Sequence, residues 1–132
     1  MNFAACPSMR STTLKFERQT VNFSAYVGES PHHVDTVEIA FCPLTTLEGI
    51  SVLTGLKNLR IHYCRNLVDI SAITELPMLE SVTLYSTPKV YDCASLARIN
   101  TLTDIELNGP YTIASIKGFE HLPALEYFVV VK

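Results

Sequence analysis

No apolar run in this 132-residue chain approaches the roughly 20 residues that a membrane-spanning helix needs, so no membrane partner is expected. Charge of one sign is also lacking. Ten Lys and Arg against 13 Asp and Glu leave a net charge of −3, which gives no global attraction to nucleic acid. The four cysteines, Cys6, Cys42, Cys64 and Cys93, form no Cys-x-x-Cys pair and show no metal-ligand spacing. His32-His33 is a lone pair in a polar loop without further ligands. There is no Gly-rich phosphate loop, no Gly-x-Ser-x-Gly and no His-Glu-x-x-His. Without these signatures, neither a cofactor nor an enzyme activity is expected. Residues 1–10 lack the basic start and apolar core of a secretory signal. The expected location is therefore a reducing cytoplasm, with the cysteines unpaired.

What the chain does have is apolar content, 48% of its residues, enough for a real core in one domain. The apolar residues follow a period longer than that of a helix or a strand. From Leu56 to Leu84 they fall three apart, then two apart, with a cysteine three later, and the block restarts at Leu79. Aligning the blocks puts Val37-x-Ile39, Leu59-x-Ile61, Val82-x-Leu84, Ile105-x-Leu107 and Phe128-x-Val130 in one register, with steps of 22, 23, 23 and 23 residues. Val34, Leu56, Leu79, Leu102 and Leu125 each stand three residues upstream. A fixed period of this length is the mark of a solenoid, in which stacked turns share a core that no single turn can bury.

On these residues the chain resembles the leucine-rich-repeat family, whose unit runs Leu-x-x-Leu-x-Leu-x-x-Asn/Cys-x-Leu. The resemblance covers roughly residues 34–132. Cys42 and Cys64 take the Asn/Cys position, whereas Thr87 and Pro110 depart from it, which is expected to weaken the side-chain ladder there. The return segment from Leu67 to Leu76 is similar to the 22-residue subclass of bacterial internalins and a phosphatase regulator. The resemblance implies an α/β leucine-rich-repeat solenoid with a short parallel β-sheet on its concave face. Its return segments, such as Ala94–Ile99 and Ser115–Leu122, would be short helices or irregular.

The expected organisation is a flexible tail at 1–11, an N-terminal β cap at 12–33 and a repeat domain of about five turns at 34–132. Within the cap, Leu14 and Phe16 alternate with polar residues, as do Val21, Phe23, Ala25 and Val27. This pattern allows a hairpin turning at Glu17–Thr20, or alternatively an irregular extra turn of the solenoid. Cys42, Cys64 and Cys93 are expected inside the core.

Side chains alternate across a strand, so the residues between the apolar positions should face solvent. Four columns result: Thr36, Asn58, Ser81, Asp104, Tyr127; then Glu38, Arg60, Thr83, Glu106, Val129; then Ala40, His62, Tyr85, Asn108, Val131; and last Phe41, Tyr63, Ser86, Gly109, Lys132. Tyr and Arg combine contact area with directional polar groups, so the candidate partner-binding residues are Glu38, Phe41, Asn58, Arg60, His62, Tyr63, Tyr85, Asp104, Glu106 and Tyr127. A solvated strand face with good β-formers is the plainer alternative.

The expected function is that of a non-catalytic protein-binding module. Small bacterial members of the resembled family include immunity proteins, which suggests inhibition of a toxin, in one version a basic nuclease met by Glu38, Asp104 and Glu106. The alternative is a structural or self-associating adaptor, a homodimer joined through the apolar last strand Phe128–Val131.

Overall fold

The structure, a computed structural model, describes residues 12–23, 34–90, 93–108 and 118–131. The tail at 1–11, Cys6, His32-His33, Gly109, Pro110 and Lys132 lie outside the described residues. Six strands form one sheet in sequence order: β1 (Thr12–Glu17), β2 (Val34–Ala40), β3 (Asn58–His62), β4 (Ser81–Tyr85), β5 (Asp104–Asn108) and β6 (Tyr127–Val131). Every neighbouring pair is parallel. Five gaps of about 4.8 Å make the sheet roughly 24 Å wide.

The pairing follows the repeat register. Val37 sits opposite Leu59, Leu59 opposite Val82, Val82 opposite Ile105, and Ile105 opposite Phe128. The second apolar row runs Ile39, Ile61, Leu84, Leu107, Val130. Both rows are buried from β2 to β5, while the residues between them are exposed or half-buried. The sheet thus has one face turned to the core and one to solvent, as the period-two alternation within each strand requires.

Strand β1 extends this pattern by one turn. It pairs with β2 in parallel, with Leu14 opposite Val37 and Phe16 opposite Ile39, a step of 23 residues. The parallel pairing carries the repeat register into β1, while residues 24–33, with Ala25 and Val27 of the expected cap, lie outside the described residues. Arg18 ends the strand. Its backbone is left-handed (φ 52°) and its N–H donates to the Ala40 carbonyl at 3.1 Å, which bends the chain off the sheet instead of back along it. Phe23 then packs edge-on against Phe16, with ring centroids 5.7 Å apart, and both rings are buried over the first core layer.

The same bend recurs after β2, β3 and β4. Phe41, Tyr63 and Ser86 have φ of 57°, 56° and 55°, and their N–H groups donate to His62, Tyr85 and Asn108 carbonyls at 3.1, 2.8 and 3.0 Å. Each bend carries the inter-turn ladder one residue past the strand. A side chain in this region crowds its own carbonyl, at a cost of roughly 1–2 kcal/mol. Gly109 follows at the same sequence interval, the residue type with no such cost. A Ser86→Gly variant should therefore gain about 0.5 kcal/mol in chemical unfolding, the relief of strain outweighing the added freedom of the unfolded chain. Ser86→Val, β-branched, should lose about 1–2 kcal/mol.

Beyond each bend the chain enters the core. Cys42, Cys64 and Cys93 are buried, and none of the three is in a disulfide. The Cys42 thiol donates to the Phe16 and Ala40 carbonyls at 3.4 and 3.3 Å, and Cys64 to Ile39 and His62 at 3.8 and 3.6 Å. Burial, above all, pushes the Cys64 thiol up from its ordinary value, so it stays protonated and acts as a small apolar filler with a weak donor. Thr87 occupies the same place one turn on and is also buried. No buried side-chain oxygen or nitrogen among the described residues lacks a hydrogen-bond partner, Thr87 included.

The return segments are 3-10 turns: Ile50–Val52, Ser71–Glu75, Ala94–Arg98 and Phe119–His121. Each sends one apolar residue inward, Ile50, Ile73, Leu96 and Phe119 respectively. Among the described residues there is no α-helix. Segments of three to five residues close only a few i→i+3 bonds, and 3-10 geometry suits such short runs. No helix among the described residues is long and apolar enough to cross a membrane.

Candidate functional site

The sheet's solvent face brings the sequence-predicted residues into three groups. The first is a charge ladder along one column. The carboxylate of Glu38 sits between the ammonium of Lys15, at 3.6 Å, and the guanidinium of Arg60, at 3.2 Å. Lys15 comes from β1, directly opposite Glu38 in the pairing. Such exposed pairs contribute about 0.2–1 kcal/mol each. Their larger consequence is that Glu38 is already neutralised on both sides, so it does not join Asp104 and Glu106 in one acidic patch. Beside this ladder, the Asn58 amide donates to Thr36 Oγ1 at 3.3 Å, and the Thr36 hydroxyl donates to Asp35 Oδ1 at 2.9 Å.

The second group is a row of stacked side chains at the strand ends. The Arg18 guanidinium lies 4.5 Å from the centroid of the Phe41 ring. Phe41 and Tyr63 stack with centroids 4.9 Å apart and planes 10° from parallel. Tyr63 meets Tyr85 edge-on at 5.2 Å, and Tyr85 meets His62 at 5.9 Å. Phe41 is 45% exposed and Tyr63 38% exposed. The left-handed bend is what presents them: one bend per turn, in register, aims consecutive side chains along one line. Hydrogen bonding with the Tyr85 side chain, followed by partial desolvation and the charge of Tyr85, holds the Tyr63 phenol above its ordinary value. Beside the row, Phe41, Pro43, Tyr63, Arg65 and Asn66 line a shallow cleft of about 270 Å³.

The third group stands apart. Asp104 and Tyr127 pair at the start of β5 and β6, and Glu106 sits two residues further along β5. Asp104 and Tyr127 are exposed and Glu106 is half-buried. Neither carboxylate is within ion-pair distance of a described basic group. The aromatic row and this acidic end therefore lie on different turns.

Two residues were missing from the sequence-derived set. Arg18 and Lys15 belong to β1, and extending the repeat one step of 23 residues toward the N-terminus would have placed Arg18 in the column of Phe41 and Lys15 in that of Glu38. A larger hollow, of about 400 Å³, lies away from this face between Glu48, Gly49, Asp69, Ser71 and Glu75. The Asp69 carboxyl there is held below its usual range, first by hydrogen bonding from the Ser71 side chain and then from its N–H, which donates at 2.8 Å. No group of three His, Cys, Asp or Glu among the described residues could hold a metal ion.

No protein-family model matches the chain, and no curated protein matches it in sequence. The site is therefore read from its own chemistry. A sheet face with an aromatic and cationic row offers contact area and directional donors.

Proposed function

We propose that this chain is a non-catalytic repeat module that binds another protein through the solvent face of its sheet. The reading includes the leucine-rich-repeat type, with this face as the concave side, and a cytoplasmic setting. The observation that carries it is the stacked row of Arg18, Phe41, Tyr63 and Tyr85. Aromatic and arginine side chains are enriched where binding energy concentrates, and here Arg18, Phe41 and Tyr63 are exposed, Tyr85 is half-buried, and all four are contiguous along one sheet. A rigid surface loses little conformational freedom on binding. Within this reading the partner is a toxin that the chain occupies and blocks. The separate acidic end at Asp104 and Glu106 suits a basic surface on it.

A second reading, self-association, is favoured by β6. That strand pairs only with β5 among the described residues, and Tyr127, Phe128 and Val131 are exposed. An apolar open edge invites another strand. The test is the affinity for a partner captured from the host, compared between the native chain and an Arg60→Glu/Tyr85→Ala variant. Loss of a hetero-partner at least tenfold supports the first reading. Capture of nothing but further copies of the chain supports the second.

A further inference from the structure

The two rims of the sheet carry opposite charge. Along the rim where the strands begin, successive repeat positions hold Asp35, Lys57, Glu80, Thr103 and Glu126, and Asp104 stands next to Thr103 at the start of β5. Along the rim where the strands end, residues 41–46, 63–68 and 86–90 contain no acidic residue and supply Arg65 and Lys89. Arg18 opens this rim, shared at 2.8 Å with its neighbour Glu17. Arg65 is exposed and makes no ion pair with a described residue.

On this cationic rim the Phe41 ring has its faces covered by neighbouring turns. Phe41 lies between Arg18 from the preceding turn and Tyr63 from the following one, so it has no open face on which a nucleic-acid base could stack. The ring edges are what remain toward solvent. An aromatic edge carries partial positive charge, so edges and guanidinium groups attract the same thing, an oxygen anion. Arginine adds bidentate geometry for a carboxylate.

We propose that the row from Arg18 to Tyr85, with Arg65 beside it, takes an acidic extended segment of the partner protein. The inference rests on the protein-binding reading and deepens it by fixing both the chemistry and the direction of the partner. Bends on four successive turns span three strand spacings, about 14 Å, the length of about four extended residues. Carboxylates of such a segment meet Arg18 and Arg65, its backbone lies along the edges of Phe41 and Tyr63, and the opposite rim repels it. The partner's acidic side is thereby set on the strand-end rim and its basic side on the strand-start rim.

The test is a chemical-shift titration of the full chain at low salt with three probes: an end-capped octaglutamate, an end-capped octalysine and a dT octamer. Octaglutamate should give saturable shifts centred on Arg18, Phe41, Tyr63 and Arg65. Arg18→Glu/Arg65→Glu should weaken it at least tenfold. Arg65→Gln, which disturbs no stacked ring, should weaken it by a smaller but measurable factor. Octalysine should shift Glu80, Asp104 and Glu126 instead. The proposal is overturned if octaglutamate does not saturate, if its shifts lie elsewhere, if neither variant changes its affinity, or if the dT octamer binds more tightly than octaglutamate. A captured partner that needs Arg60 and Tyr85 but is indifferent to Arg18→Glu/Arg65→Glu overturns this inference and leaves the protein-binding reading in place.

Discussion

Replacing Ile61 by alanine should cost about 2–5 kcal/mol of unfolding free energy, the range for truncating a fully buried aliphatic side chain. Ile61 is 0% exposed and lies in β3, with Ile39 opposite it on one side and Leu84 on the other. In a stack of turns each interface contributes separately to stability. A cavity at Ile61 weakens two interfaces and uncouples β1 and β2 from β4 to β6. Against a total of about 5–15 kcal/mol for an ordinary domain, the upper part of that range would unfold much of the population at ambient temperature. The comparison that gives the result its meaning is Phe128→Ala. Phe128 is larger but 36% exposed, packs on Phe119 at 5.1 Å and faces one neighbouring strand. It should cost less than half as much. Urea unfolding of both variants measures the difference. Equal losses would mean that stability is not distributed turn by turn.

The second large effect is on binding. Arg60→Glu combined with Tyr85→Ala should lower affinity for the partner at least tenfold while leaving the melting temperature within a few degrees. Arg60 has 54% of its side chain exposed, and among the described residues its salt-bridge contact is Glu38. Exposed pairs contribute little to stability, and Lys15 stays beside Glu38 after the change. Tyr85 is half-buried and touches only the rings of Tyr63 and His62 among described aromatics, so its loss removes the inner end of the row and not a core layer. Unchanged affinity would move the site off this face, to an edge or to the return segments.

The register of the sheet was legible in the sequence because burial enforces it. A slip of one residue would turn Leu59 and Ile61 to solvent, so the apolar pairs report the strand positions directly. The solvent columns followed from the same alternation. The turn formed by β1 was less legible. Leu14-x-Phe16 matches the apolar pair, but Ser11 stands where the other turns have Val34, Leu56, Leu79, Leu102 and Leu125. The charged bend Glu17-Arg18 also hides its likeness to Phe41 and Tyr63, since none of these residues is the Gly or Asn that marks a left-handed backbone in a sequence. With β1 unplaced, Lys15 had no column, and the neutralisation of Glu38 was invisible. The 3-10 character of the returns was hidden for another reason: segments this short take their geometry from the spacing of the turns they connect, which propensity does not report.

The most direct test of the account is hydrogen–deuterium exchange on the chain with and without its captured partner. Binding through the solvent face and strand-end rim should slow exchange at the bends around Phe41, Tyr63 and Ser86 and in β3 and β4, with the return turns at Ser71–Glu75 and Ala94–Arg98 unchanged. Protection confined to those return turns, with the bends exchanging as in the free chain, would contradict it.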